Sequence, residues 1–355
     1  MVSLSTSPLL PTIILLLPLL AFLIVPHFLP PPRVPISSVD ELYDLSLFHN
    51  ATTLHHHHHH HHPSNNLRSG SGSLQSPKIA FLFLTNSDLV FSPIWNLYFN
   101  VTNLSNAHLF NIYVHSDPTI KIKSLDGFFK NRVIKSRRTQ RSSPTLISAA
   151  RRLIASAILD DERNSYFALI SQHCVPLHSF GFFYNTLFGD EAINKGFPSY
   201  IEVLDNETIL WDRYNARGEN VMLPEVGFNE FRVGSQFFVI SRKHALKVIE
   251  DRKLWRKFKL PCLNVQSCYP EEHYFPTLLS MYDPKGCTNY TITRVNWTDS
   301  VDGHPHTYYP SDVSPELIYT LRESNFSTSY MFARKFSPDC LKPLLEIAES
   351  VIFKD

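Results

Sequence analysis

The stretch Cys268-Tyr269-Pro270-Glu271-Glu272-His273 sets two adjacent carboxylates at the predicted start of a helix. From a first helical turn, one can point into a cleft while the other caps the helix or meets solvent. Acidic side chains also gather there simply because they complement the helix dipole. A buried, correctly aimed carboxylate is what sugar transfer without a metal needs as its general base, so the pair gains meaning only from its company. Asp117 follows an apolar strand at its carboxyl end, where open α/β sheets place ligands. There it can hold a ribose hydroxyl or a base edge, or simply start an Asp-Pro turn. Arg334 and Lys335 form a late basic pair. At a cleft they would neutralise a diphosphate leaving group; elsewhere they are an exposed pair before a helix.

The elements that must position these groups read as an α/β domain. Residues 78–84 and 166–171 are nearly unbroken apolar runs of strand length, as expected for strands covered on both faces. Residues 109–115 form another strand, and Arg132-Val133-Ile134 a short one. Thr145 to Ile158 carries an apolar helical stripe, with Arg151 and Arg152 expected on the opposite face. Further strand and helix signals fall at Phe237–Ile240, Arg242–Glu250, Glu271–Met281 and Asp339–Ile352. The alternation predicts a mostly parallel sheet flanked by helices.

Leu9 to Leu29 is a stretch of 21 residues without a formal charge, long enough to span a bilayer and longer than a cleavable signal's apolar region. It predicts a short tail at 1–8, a signal anchor at 9–29 and a body beyond. Residues 30–76, with Pro-Pro-Pro and eight histidines at His55–His62, read as a low-complexity stem unable to fold, leaving a domain over 77–355. Seven Asn-x-Ser/Thr sequons, at Asn50, Asn100, Asn103, Asn206, Asn289, Asn296 and Asn325, all follow the apolar stretch and point to a lumenal body. In that oxidising setting Cys262 and Cys268 bracket a short loop and form a candidate bridge; five cysteines leave at least one thiol outside an intramolecular pair. The 33 basic and 32 acidic residues nearly cancel, which argues against nucleic acid as a partner. The cluster Lys130, Arg132, Lys135, Arg137, Arg138 and Arg141 reads as a solvated edge, with an anionic partner as the alternative. No Gly-rich phosphate loop, Gly-x-Ser-x-Gly elbow, Cys-x-x-Cys or Asp-x-Asp occurs.

Read in order, six segments resemble the core-2/I-branching β-1,6-N-acetylglucosaminyltransferase-like family, in particular its plant branch. They are Val114-His115-Ser116-Asp117-Pro118, residues 149–155, residues 166–177, Val233-Gly234-Ser235-Gln236-Phe237-Phe238, Pro270-Glu271-Glu272-His273-Tyr274 and residues 332–338. The resemblance implies a GT-A-like nucleotide-sugar transferase fold and a type II anchor in the Golgi membrane with the catalytic domain lumenal. It also implies inverting transfer from a UDP-sugar, GlcNAc-like or other, to a glycan or glycoprotein hydroxyl without a divalent metal. It assigns the general base to Glu272 rather than Glu271, diphosphate contacts to Arg334 and Lys335, and a nucleotide contact to Asp117. Gly234, Ser235, Gln236 and Phe237 then fall in the donor and acceptor cleft, and Arg322 is a further phosphate candidate. Plant relatives usually carry Trp-Gly where Arg141-Ser142 stand and Trp where Phe237 stands, departures that bear on sugar choice.

On this reading Glu272 takes the proton of an acceptor hydroxyl as that oxygen attacks the donor's anomeric carbon, while Lys335 and Arg334 stabilise departing UDP. Two readings compete with it. One is a catalytically silent glycan-binding or scaffold protein that retains the fold; the other is an anchored protein that binds anionic polysaccharide through the basic cluster.

Overall fold

The computed structural model describes residues 35–60, 76–100, 108–123, 125–298, 300 and 303–355. The expected tail, the anchor and the sequon at Asn103 lie outside the described residues. Among those described, no helix is long and apolar enough to cross a membrane.

Strands β1 (Lys78–Thr85), β2 (Phe110–Ser116) and β3 (Asn164–Ser171) pair in parallel with β1 in the middle. Short strands β4 (Val175–Pro176), β5 (Ser199–Glu202), β6 (Val239–Ser241), β7 (Cys287–Asn289), β8 (Thr293–Val295) and β9 (Phe332–Arg334) complete the set. The main sheet has the order β2-β1-β3-β6-β5-β7, with β6 antiparallel to both of its neighbours. A second sheet, β4-β9-β8, carries the basic pair at the end of its middle strand, β9. The expected strand over Arg132-Val133-Ile134 is reduced to one bridge between Val114 and Val133.

Successive side chains of a strand face opposite sides, and β1 serves two apolar layers in this way. Ala80, Leu82 and Leu84 enter one core, while Ile79, Phe81 and Phe83 enter the other. The first layer is closed by helices α1 (Ser38–His60) and α3 (Pro144–Asp160), and the second by α2 (Ser92–Asn100) and α4 (Phe180–Phe188). Ser143 accepts a hydrogen bond from the Thr145 N–H and Pro144 fills the first turn, which fixes where α3 begins. Helices α5 (Leu210–Tyr214), α6 (Arg242–Glu250) and α7 (Tyr274–Tyr282) follow.

Two expectations are corrected here. Ser38–His60, inside the segment read as a stem, is helical, and its Phe48 and Ala51 are buried in the first core. Arg151 and Arg152, expected on the polar face opposite the apolar stripe, are both buried. Arg152 forms two hydrogen bonds to Asp44 of α1, at 2.5 and 2.9 Å. Arg151 donates to the Val248 and Asp251 carbonyls at the end of α6, satisfying groups a helix end leaves open. The polar face of α3 is thus a second packing face, charged because it meets an acid and a helix end.

Candidate active site

The Glu271–Met281 segment is not one helix. Pro270–Glu272 is a single 3-10 turn, and α7 starts at Tyr274. A proline ring collides with the carbonyl four residues before it, so Pro276 stops an α-helix from running through Glu272. The freed Glu272 carbonyl accepts the Gly234 N–H instead, at 2.9 Å. Only glycine allows this approach, because a Cβ on Gly234 would lie 2.0 Å from the Glu202 carbonyl oxygen. Tyr269, left-handed at φ 36°, turns the chain just before the acidic pair, and the preceding loop is closed by the Cys262–Cys268 disulfide. The other cysteines, Cys174, Cys287 and Cys340, are free and buried.

Two cavities meet at this turn. The first, of about 310 Å³, opens at the carboxyl ends of β1 and β3, where Thr85, Asn86, Ser171 and Gln172 line it. Three cations, Arg141, Arg334 and Lys335, face it together with Glu271. The second, of about 550 Å³, is lined by Glu202, Glu207, Arg213, Ser235 and Tyr330. Glu272, Gln236, Tyr269, Trp297 and Arg334 border both.

Glu272 Oε2 accepts from Arg213 Nη1 at 2.6 Å. The same Arg213 nitrogen lies 3.3 Å from His273 Nε2, and His273 Nδ1 lies 2.8 Å from the Arg232 carbonyl. A carbonyl can only accept, so Nδ1 carries the proton and Nε2 accepts from Arg213. Burial first, then Arg213, pulls the His273 pKa down to about 3, so the imidazole is neutral. Arg213 also lies over the Tyr269 ring. His273 orients Arg213, and Arg213 orients Glu272.

Across the turn the environment differs. Glu271 is 3 % exposed; its Oε1 accepts the Ser142 N–H at 3.0 Å, and its Oε2 is buried without a partner. Burial pushes its carboxyl up to about 8, and Glu272 adds to the rise. Ser142 holds a left-handed φ of 55°, a conformation that suits the glycine expected of relatives at this place. Arg141 bonds the Gly303 carbonyl and His304 and thereby joins the cation group.

Arg334 lies over the Phe237 ring at 4.6 Å, with its Nε buried and unpartnered. Burial lowers the pKa of both Arg334 and Lys335, and each cation's other basic neighbours add to the effect. Removing water from several like charges favours an anion between them. His173 is pulled down to about 4 by burial and then by Lys335 and Arg334, so it adds no charge near neutrality. Among the described residues, no three or more His, Cys, Asp or Glu side chains converge as a metal site requires.

Four of the expected donor-binding residues, Gln236, Phe237, Arg334 and Lys335, border the cationic cavity together with Glu272. Ser235 borders only the second cavity, and its N–H donates to Glu202 at 2.8 Å. Asp117 does not line either cavity. Its oxygens accept from the N–H and hydroxyl groups of Thr119 and Thr139, and these bonds outweigh burial and lower its pKa. It therefore fixes Thr139, which does line the first cavity. Arg322 donates to the carbonyls of Leu177, Val351 and Ile352, away from the cleft. Sequence reasoning missed Arg213, Glu202 and Trp297, which carry no local motif, since only the fold brings them together; it quoted Tyr269 in the acidic stretch without giving it a role. The basic cluster is divided, since Arg137 pairs with Asp40 and Lys135 lies over Tyr43 of α1, while Arg141 turns to the cleft.

Residues 79–322 match the family model "Core-2/I-Branching enzyme". The chain is similar to "Glycosyltransferase BC10" of Oryza sativa subsp. japonica, 27 % identical over 321 residues that cover 76 % of each protein. The family match takes in the acidic turn and ends before β9 and the Arg334-Lys335 pair, and the chain is a glycosyltransferase of the core-2/I-branching enzyme family.

Proposed function

We propose that the chain transfers a sugar from a UDP-sugar to a hydroxyl of a glycan or glycoprotein, with inversion and without a divalent metal, on a GT-A-like fold. The observation that carries this reading is the place of Glu272 at the junction of a cation-lined cavity and a carboxylate- and aromatic-lined one. The first suits the nucleotide diphosphate, the second the acceptor. The acceptor hydroxyl gives its proton to the Glu272 carboxylate as its oxygen bonds the anomeric carbon. The bond from that carbon to the diphosphate oxygen breaks, and its electron pair leaves with UDP. Arg334 and Lys335 meet the charge as it develops, the task a bound cation performs in other sugar transferases. Attack opposite the leaving group inverts the anomeric centre.

The apolar stretch at 9–29 and the sequons after it support a type II protein of the Golgi membrane with this domain lumenal. A GlcNAc-like sugar is the donor the family's name suggests. The silent glycan-binding alternative makes the opposite forecast for one experiment. Full-length protein is incubated with a panel of UDP-sugars and glycan acceptors, with and without EDTA, and UDP release is measured. Acceptor-dependent release that EDTA leaves intact, and that falls by about 100-fold in Lys335→Ala, is expected. A strict Mn²⁺ requirement refutes the metal-free clamp, and no release with any donor favours the silent protein.

A further inference from the structure

Glu271 is the group the mechanism above leaves unused, yet it borders the same cavity as Arg141, Arg334 and Lys335. One oxygen is occupied by the Ser142 N–H, while Oε2 is out of water with no partner. Among the described residues no cation forms an ion pair with it, whereas neighbouring Glu272 has Arg213. Two adjacent carboxylates in a site with little water do not both ionise readily.

We propose that Glu271 works as a neutral carboxylic acid, a positioning residue that keeps the cationic cavity receptive to a nucleotide diphosphate beside the Glu272 carboxylate. The inference rests on the donor-cavity reading above. In its acid form Glu271 adds no negative charge where the diphosphate must sit, and its Oε2 has no hydrogen-bond partner among the described residues. Once ionised, it would oppose the diphosphate and draw on the same cations.

The charged groups around it come from four segments. Glu272 stands on its own turn, Arg141 precedes α3, Arg217 lies in the 3-10 turn Asn215–Arg217, and Arg334 and Lys335 border the same cavity from the end of β9. Arg217 is buried, with Nη2 on the Phe258 carbonyl and Nε and Nη1 unpartnered. Burial is the largest influence on Glu271; its own backbone N–H, the Ser142 N–H and Arg141 oppose the rise without cancelling it, so the carboxyl titrates near 8. Burial, then Arg334 and Arg141, also lowers the Lys335 pKa, so the pH dependence is read as a difference from a variant that retains this lysine.

The test is calorimetric titration of the full-length chain with UDP on either side of the pH near 8 at which Glu271 ionises, in wild type and Glu271→Gln. The glutamine keeps the shape and the oxygen that accepts from Ser142 but cannot ionise. Wild-type affinity is expected to fall by about tenfold more than that of the variant as pH rises from about 7 to about 9. Superimposed curves with UDP bound throughout overturn the inference and leave the donor cavity standing. Failure of wild type to bind UDP at any pH removes the donor-cavity reading and this inference with it. A second measurement needs no variant. The infrared carbonyl band of a protonated carboxyl group should be present in wild type at about pH 7 and bleach through the pH near 8. Its absence at neutral pH overturns the proposal.

Discussion

At the scale of single residues, Glu272 receives its direction from three separate segments. Gly234 holds its carbonyl, Arg213 holds its carboxylate, and neutral His273 holds Arg213. The acidic pair could be noticed in the sequence because its members are adjacent. Arg213 could not, since it lies 59 positions away and no spacing rule links it to the turn. The division of labour within the pair was also only half legible. Resemblance singles out Glu272, but nothing local to the sequence shows that Glu271 would be the more buried of the two. Arg213→Gln should let the Glu272 carboxylate drift, and about 1 Å of misplacement costs on the order of 100-fold in rate. Steady-state turnover is expected to fall by about that factor while UDP affinity, measured by calorimetry, stays close to wild type. A parallel loss of UDP affinity would show that Arg213 serves the nucleotide instead. The His273 imidazole, with its pKa near 3, should add no limb to the rate profile around neutrality.

At the scale of elements, the apolar runs of β1 and β3 were readable because both faces of each strand are covered. Arg132-Val133-Ile134 has strand-like chemistry but makes a single bridge, since pairing depends on a neighbour that the segment itself does not contain. Helix α1 was hidden by its surroundings, as prolines precede it and histidines end it, which gave the whole region the look of a stem. Its docking is decided by partners distant in sequence, above all Arg152 meeting Asp44 across 108 positions. The Arg152 and Asp44 side chains are only 3 % and 8 % exposed, respectively. Breaking such a pair from one side leaves a buried charge and costs about 3–5 kcal/mol. Arg152→Met and Asp44→Asn should each lower stability by roughly that amount in chemical denaturation, whereas Asp44→Leu combined with Arg152→Met recovers most of it. If each single change costs less than about 1 kcal/mol, α1 is not an integral part of the folded body.

At the scale of the whole molecule, residues Pro35–Asp355 form one unit. Its parallel strands deliver their carboxyl ends to the cation-lined cavity, and its second sheet delivers Arg334 and Lys335 from the other side of the chain's length. The order of six short segments was enough to indicate the family. The two cavities and their meeting point were not legible, because their walls come from segments as far apart as Thr85 and Lys335. The central claim is that Glu272 is the base and Glu271 is not. It is tested most directly by transfer rates of Glu272→Gln and Glu271→Gln at about pH 7 with saturating UDP-sugar, alongside UDP binding to each. Glu272→Gln should lose about 10²–10⁴-fold of transfer while still folding and binding UDP, and Glu271→Gln should lose far less. Equal losses at the two positions, or undiminished transfer in Glu272→Gln, would contradict the account.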